Sequence, residues 1–96
     1  MMIIVSYDVD FSDTKGAKRL RKVAKICERY GVRVQNSVFE TVVDSVQLSE
    51  MKLALSEVID SELDTVRFYN LGNKWESKID TIGRIKGFKQ EDALIL

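Results

Sequence analysis

Histidine and proline are absent from this 96-residue chain, and cysteine and tryptophan occur once each. Without histidine there is no imidazole to move protons near neutral pH, no Ser–His–Asp relay and no histidine-ligated zinc. Any catalysis must therefore run on carboxylates, a metal ion, or Ser, Tyr, Lys and Arg side chains. The one cysteine, Cys27, has no internal disulfide partner, which fits a reducing, cytoplasmic compartment. No apolar run approaches the roughly 20 residues that a membrane-spanning helix needs. Met2-Ile3-Ile4-Val5 follows the first residue directly, with neither a basic leader nor a cleavage site. A cytoplasmic protein with no membrane role is expected.

The formal net charge is zero, but the charges are segregated. Between residues 14 and 33 eight basic residues face Glu28 alone, and between 40 and 64 seven acidic residues face Lys52 alone. The neutral total thus hides a basic surface. The length and a hydrophobic content of 45% suit one domain over residues 1–96. Its core is thin for its surface, so a partner subunit would help.

Met2 to Val9 reads as a central strand, with Met2-Ile3-Ile4-Val5 apolar on both faces and Tyr7 and Asp8 near its C-terminal end. Ser12 or Asp13 is placed to cap the next helix. From about Lys15 to Tyr30, Leu20, Val23, Ala24, Cys27 and Tyr30 recur at helical spacing, and Gly31 stands where a C-terminal cap belongs. Val32 to Val43 is β-rich, with Asn36 as its one turn signal, so two strands are expected to meet there. A second helix is expected from about Leu48 to Asp60, with Ser45 or Ser49 near its cap and Leu48, Met51, Leu55, Val58 and Ile59 as its apolar stripe. Thr65 to Leu71 reads as a strand, Gly72-Asn73-Lys74 as a turn, and Trp75 to Ile82 as a short fifth strand. Phe39, Phe68, Tyr69 and Cys27 are expected in the core. The order β-α-β-β-α-β is the α/β (α+β) ferredoxin-like plan, here with an additional C-terminal strand. The apolar ending Ala93-Leu94-Ile95-Leu96 reads as an added strand or as a docking peptide for a partner chain, within a tail from about residue 84 to 96.

Two features carry chemistry. Asp8 ends a hydrophobic strand, where a carboxylate is costly unless solvated, hydrogen-bonded or bound to a metal. Mg2+ takes oxygen ligands and often only one or two carboxylates, so one Asp8 is a poor site and two copies on a dimer axis a better one. The plainer alternative is a loop-start aspartate satisfying backbone N–H groups. The second feature is the first helix, where Lys18, Arg19, Arg21, Lys22, Lys25 and Arg29 cover everything outside the apolar stripe. Clustered cations on one element are the footprint of a phosphate backbone, against the alternative of an ordinary solvated face. With no aromatic residue interleaved, sequence-independent backbone contact is the natural form.

These residues also resemble a known family. The strand ending Tyr7-Asp8, the helix Lys18-Arg19-Leu20-Arg21-Lys22-Val23 and the run Tyr30-Gly31-Val32-Arg33-Val34-Gln35-Asn36-Ser37-Val38-Phe39-Glu40 are similar to the small CRISPR-associated protein of the spacer-acquisition pair, closest to type I-C members. The resemblance spans the chain, including the Leu94-Ile95-Leu96 ending. It implies a ferredoxin-like symmetric homodimer whose last strand pairs with the partner's sheet. It implies that Asp8, the catalytic and metal-binding residue, faces its symmetry mate across Mg2+, or Mn2+ in its place. Lys15, Lys18, Arg19 and Lys22 are expected to bind nucleic acid, with Tyr7, Ser37 and Phe39 in supporting positions. Leu20 stands where many members carry a second arginine, and Asp10 and Asp13 are not dependable family ligands. The resemblance further implies a metal-dependent endonuclease acting on double-stranded DNA, and a scaffold for the integrase partner that inserts new spacers. The alternatives are a scaffold that only braces DNA, or an endoribonuclease acting on single-stranded RNA. A histidine-free phosphodiesterase needs a metal to polarise phosphate and activate water, so the two lines of reasoning meet at Asp8.

Overall fold

The computed structural model describes residues 1–84. Its elements are β1 (Met2–Asp8), α1 (Gly16–Glu28), β2 (Gly31–Gln35), β3 (Val38–Val42), α2 (Ser45–Val58), β4 (Thr65–Gly72) and a single 3-10 turn at Glu76–Lys78. The four strands form one antiparallel sheet in the order β2-β3-β1-β4. The ferredoxin-like expectation is met in element order and in strand order.

Side-chain alternation along β1 explains the layering. Ile3, Val5 and Tyr7 are buried, and with Val9 they form the core together with Val23, Ile26 and Cys27 of α1, Phe39 of β3, and Met51 and Leu55 of α2. Ile4, Ser6 and Asp8 alternate with them and so project from the face that carries no helix. The register sets Ile4 between Glu40 and Tyr69, Ser6 between Val38 and Arg67, and Asp8 beside Thr65. The helix-free face is thus a mixture of apolar and charged groups. Val42 and Tyr69 are exposed there, and the Arg67 guanidinium lies 5.2 Å from the Tyr69 ring. Tyr69 was expected in the core; the register turns it the other way.

Local chemistry shifts several boundaries. Neither Ser12 nor Asp13 caps α1: its N-cap is Lys15, with no side-chain capping bond. Asp13 instead accepts from the Lys15 N–H at 3.2 Å and is engaged by Arg19. The second helix begins three residues before the expected Leu48. Asp44 caps it, accepting from the Gln47 N–H at 2.7 Å, while the Gln47 side chain accepts from the Asp44 N–H at 3.0 Å. This reciprocal capping box was legible as Asp44-x-x-Gln47. Gly31 is not a left-handed cap but the first residue of β2. A Cβ there would stand 2.0 Å from the Glu40 carbonyl oxygen, so only glycine fits without moving backbone. The strand expected over Trp75 to Ile82 is absent. Gly72, at φ 77°, ends β4, and residues 79–84 cross over the β2–β3 end of the sheet, where Ile79 to Ile82 line a groove with Val34, Gln35, Val38 and Glu40. The additional strand expected in the Ala93–Leu96 tail lies outside the described residues. No helix among the described residues is long and apolar enough to cross a membrane.

Candidate nuclease and nucleic-acid site

Asp8 sits at the C-terminal end of β1, exposed, on the helix-free face. Among the described residues the ion pairs are those that Arg19 makes with Asp13 and Asp64, so Asp8 belongs to none of them. Its neighbour across the sheet is Thr65. On its other side, the Tyr7 N–H donates to the Ser37 carbonyl at 3.1 Å, so Ser37 extends the ladder to the edge of the Asp8 site through its backbone. No cluster of three carboxylate, thiolate or imidazole side chains among the described residues is arranged to hold a metal. The Asp8 carboxylate is an oxygen donor of the kind Mg2+ or Mn2+ takes, and a second Asp8 from another copy, with water in the remaining positions, would complete such a donor set.

Tyr7 and Phe39 point the other way. Both are buried on the helix side, with ring centroids 6.2 Å apart, and the Tyr7 hydroxyl donates to the Asn36 carbonyl at 3.4 Å. Burial pushes the Tyr7 phenol above its ordinary pKa. Both rings pack beneath the strand that carries Asp8. Cys27 is likewise enclosed, and burial pushes its thiol up to about 12, far from a reactive thiolate. Glu40, half-buried opposite Ile4 on the helix-free face, has its pKa raised by the same desolvation.

The basic residues divide into two groups. Lys15, Lys18 and Lys22 are exposed and line one side of a groove of about 690 Å³ between the start of α1 and the end of α2, with Val58, Ile59, Asp60 and Ser61 opposite. Arg21 and Lys25 continue the basic surface along α1 towards Arg33. Arg19, also expected to bind nucleic acid, is different: its guanidinium is turned onto protein acceptors. Its Nε donates to Asp64 at 2.7 Å, its Nη1 to Asp13 at 2.9 Å and its Nη2 to the Asp10 carbonyl at 3.0 Å. The side chain keeps 11% of its exposure. A guanidinium whose three nitrogens already have protein acceptors has little left to offer a phosphate. The sequence reading missed Asp64, whose partner is 45 residues away.

Asp64 has no exposed side-chain surface. Burial alone would raise its pKa, but the Arg19 guanidinium and the N–H groups of Asp60 and Asp10 hold it below the ordinary aspartate value. Asp13 is lowered by its bond from Arg19, and Asp10 by its bond from Ser12. For Asp64 the unfolded value is about 3.9 and the folded value lower. Its contribution to stability is therefore complete above that unfolded value and is lost as pH falls through the folded one. Denaturant melts from pH 6 down to pH 2 are expected to show a smaller acid loss of stability in Asp64→Asn than in wild type. Parallel curves would mean that the pair is not coupled to folding.

A ferredoxin-like domain with a strand-end carboxylate on its open sheet face and lysines along its first helix is a recognisable class of small α/β protein. The model of the family described as CRISPR associated protein Cas2 matches residues 1–79. The chain belongs to that family. A protein named CRISPR-associated endonuclease Cas2 from Halalkalibacterium halodurans is 52% identical over 95 residues, covering 99% of each chain. One named CRISPR-associated endoribonuclease Cas2 from Nitratidesulfovibrio vulgaris is 46% identical over 96 residues, covering 100% of this chain and 94% of its own. The crystal structure of Streptococcus pyogenes Cas2 at pH 6.5 superposes with a TM-score of 0.77 at 47% identity, over 86% of this chain and 100% of that one.

Proposed function

We propose that this protein is a divalent-metal-dependent endonuclease of CRISPR immunity that works as a symmetric homodimer. Two Asp8 carboxylates would share Mg2+, or Mn2+, at the dimer axis, and the substrate would be double-stranded DNA. The observation that carries this reading is the position of Asp8: a carboxylate in no ion pair among the described residues, at the end of a strand, on a sheet face that mixes exposed Val42 and Tyr69 with half-buried Ile4 and Val38. A second copy covering that face would remove apolar surface from water and bring the carboxylates together. Two carboxylates that close repel each other unless a cation lies between them or one is protonated. A metal bound there would polarise a phosphate oxygen and lower the pKa of a coordinated water. The protein's own contribution is to hold the strand end rigid and to neutralise flanking phosphates with Lys15, Lys18 and Lys22. The same dimer would brace duplex DNA for the integrase partner of spacer acquisition.

Single-stranded RNA is the second substrate reading, supported by relatives at 46% and 44% identity that are named endoribonucleases. The deciding experiment is cleavage of matched duplex DNA and single-stranded RNA by the purified protein with Mg2+, Mn2+ or chelator across pH. Metal-dependent cleavage of the duplex is the expected result, and chelator should abolish it. Cleavage of RNA alone would assign the second substrate. Cleavage of neither under any condition would leave the DNA-bracing role as the function.

A further inference from the structure

Asp8 is exposed, yet the backbone around it is anchored at one point. The Asp64 carboxylate accepts from Arg19 Nε at 2.7 Å, from Arg19 Nη2 at 3.3 Å, from the Asp10 N–H at 3.0 Å and from the Asp60 N–H at 2.9 Å. Arg19 Nη2 also donates to the Asp10 carbonyl at 3.0 Å. Asp10 is thus gripped at both its N–H and its carbonyl by the same two side chains, two residues beyond Asp8. From the other side, Thr65 follows Asp64 directly and is the residue opposite Asp8 in the β1–β4 ladder. Helix α1 closes the arrangement: a Cβ at Gly16 would stand 2.4 Å from the Asp10 carbonyl oxygen, so the helix start presses on the same peptide.

From this geometry we infer that Arg19 and Asp64 are positioning residues for Asp8, and that Arg19 acts through Asp64 and Asp10 rather than through a phosphate. The inference rests on the proposed Asp8 nuclease site. The physical reason is that a metal shared across an axis demands tight placement of both carboxylates. Each chain supplies one, on the last residue of a strand that opens into a loop, and a buried bidentate pair fixes that loop better than main-chain bonds alone. A displacement of the order of one ångström at such a site costs about 100-fold in rate.

The test uses the full-length protein as wild type, Asp64→Asn, Arg19→Gln, Arg19→Lys and the Arg19→Gln/Asp64→Asn double variant. Cleavage with Mg2+ is measured per folded molecule, and nucleic-acid affinity is titrated against salt in chelator. Each single variant is expected to lose about 100-fold in kcat with KM within about twofold, and the double variant to be no worse than either single one. Arg19→Lys should not rescue, because one ammonium does not span both Asp64 and the Asp10 carbonyl. Affinity and salt slope should match wild type throughout. If the single variants do not fold, the double variant carries the test, since it removes both charges together and leaves neither unpaired. An Arg19→Gln protein with a salt slope reduced by about one, beside an Asp64→Asn protein that cuts at the wild-type rate, would make Arg19 a phosphate contact and overturn the inference. So would loss of folded protein with kcat per folded molecule unchanged. A wild type that cuts neither substrate overturns the nuclease reading itself, a failure distinct from variants that cut as fast as an active wild type.

Discussion

Asp8→Ala is expected to lose at least about 1000-fold in cleavage while keeping wild-type affinity and salt dependence for nucleic acid. The size of the loss follows from the absence of histidine and from position: Asp8 is the carboxylate that ends β1 on the helix-free face. The retained binding follows from position. Asp8 is exposed at a strand end, outside the ion pairs of the described residues, so truncating it leaves the core and the lysine groove intact. Mixed dimers sharpen the test. If the metal is shared, one altered copy disables the whole site, and an equal mixture of freely exchanged wild-type and Asp8→Ala chains should keep about one quarter of the activity, against about half for two independent sites. Retention of about half would place a complete site in each chain and would remove the shared carboxylate from the account. Asp8→Asn, which keeps shape and loses charge, should behave as Asp8→Ala does.

Much of this architecture follows from patterns of short range. The apolar start of β1, the heptad-like spacing of Val23, Ala24 and Cys27, and the polar break at Asn36 each depend on neighbours within a few residues, and each element stands where its pattern lies. The same is true of Asp8, which draws notice as a charge at the end of a hydrophobic strand. What the sequence does not reveal depends on partners brought together by the fold. Arg19 looks like one more cation on a basic helix; only the return of the chain at Asp64, 45 residues later, turns it inward. Tyr7 and Phe39 fall within the family motif beside Asp8 and Ser37, but strand alternation carries their rings to the opposite face of the sheet. Trp75 to Ile82 has the composition of a strand. A strand needs an edge to pair with, and after Gly72 the chain leaves the β4 edge and crosses the far end of the sheet instead. Residue type sets what a segment is able to form, and the available edges decide which of those forms it takes.

Replacing Lys15, Lys18 and Lys22 together by Glu is expected to weaken nucleic-acid binding by about a thousandfold near 0.1 M salt and to lower the salt slope by about three. All three side chains are exposed, line one groove, and stand outside the ion pairs of the described residues, so their charge is available to an external anion. The loss should be similar for duplex DNA and for RNA, because phosphate contacts position a nucleic acid without reading its bases. Replacement of the same three residues by Gln should give a smaller loss of affinity with most of the change in slope, which separates lost attraction from added repulsion. An unchanged slope would move the nucleic-acid surface elsewhere, with Arg21, Lys25 and Arg33 as the next candidates on the continuing basic face. The lysine and Asp8 variants together also separate the two roles proposed for the dimer. If cleavage is the function, either change should abolish it in the cell. If the protein chiefly braces DNA for the integrase partner, the lysine variant should block acquisition of new spacers and Asp8→Ala should leave it intact, because bracing requires the phosphate contacts and makes no use of a metal at the strand end.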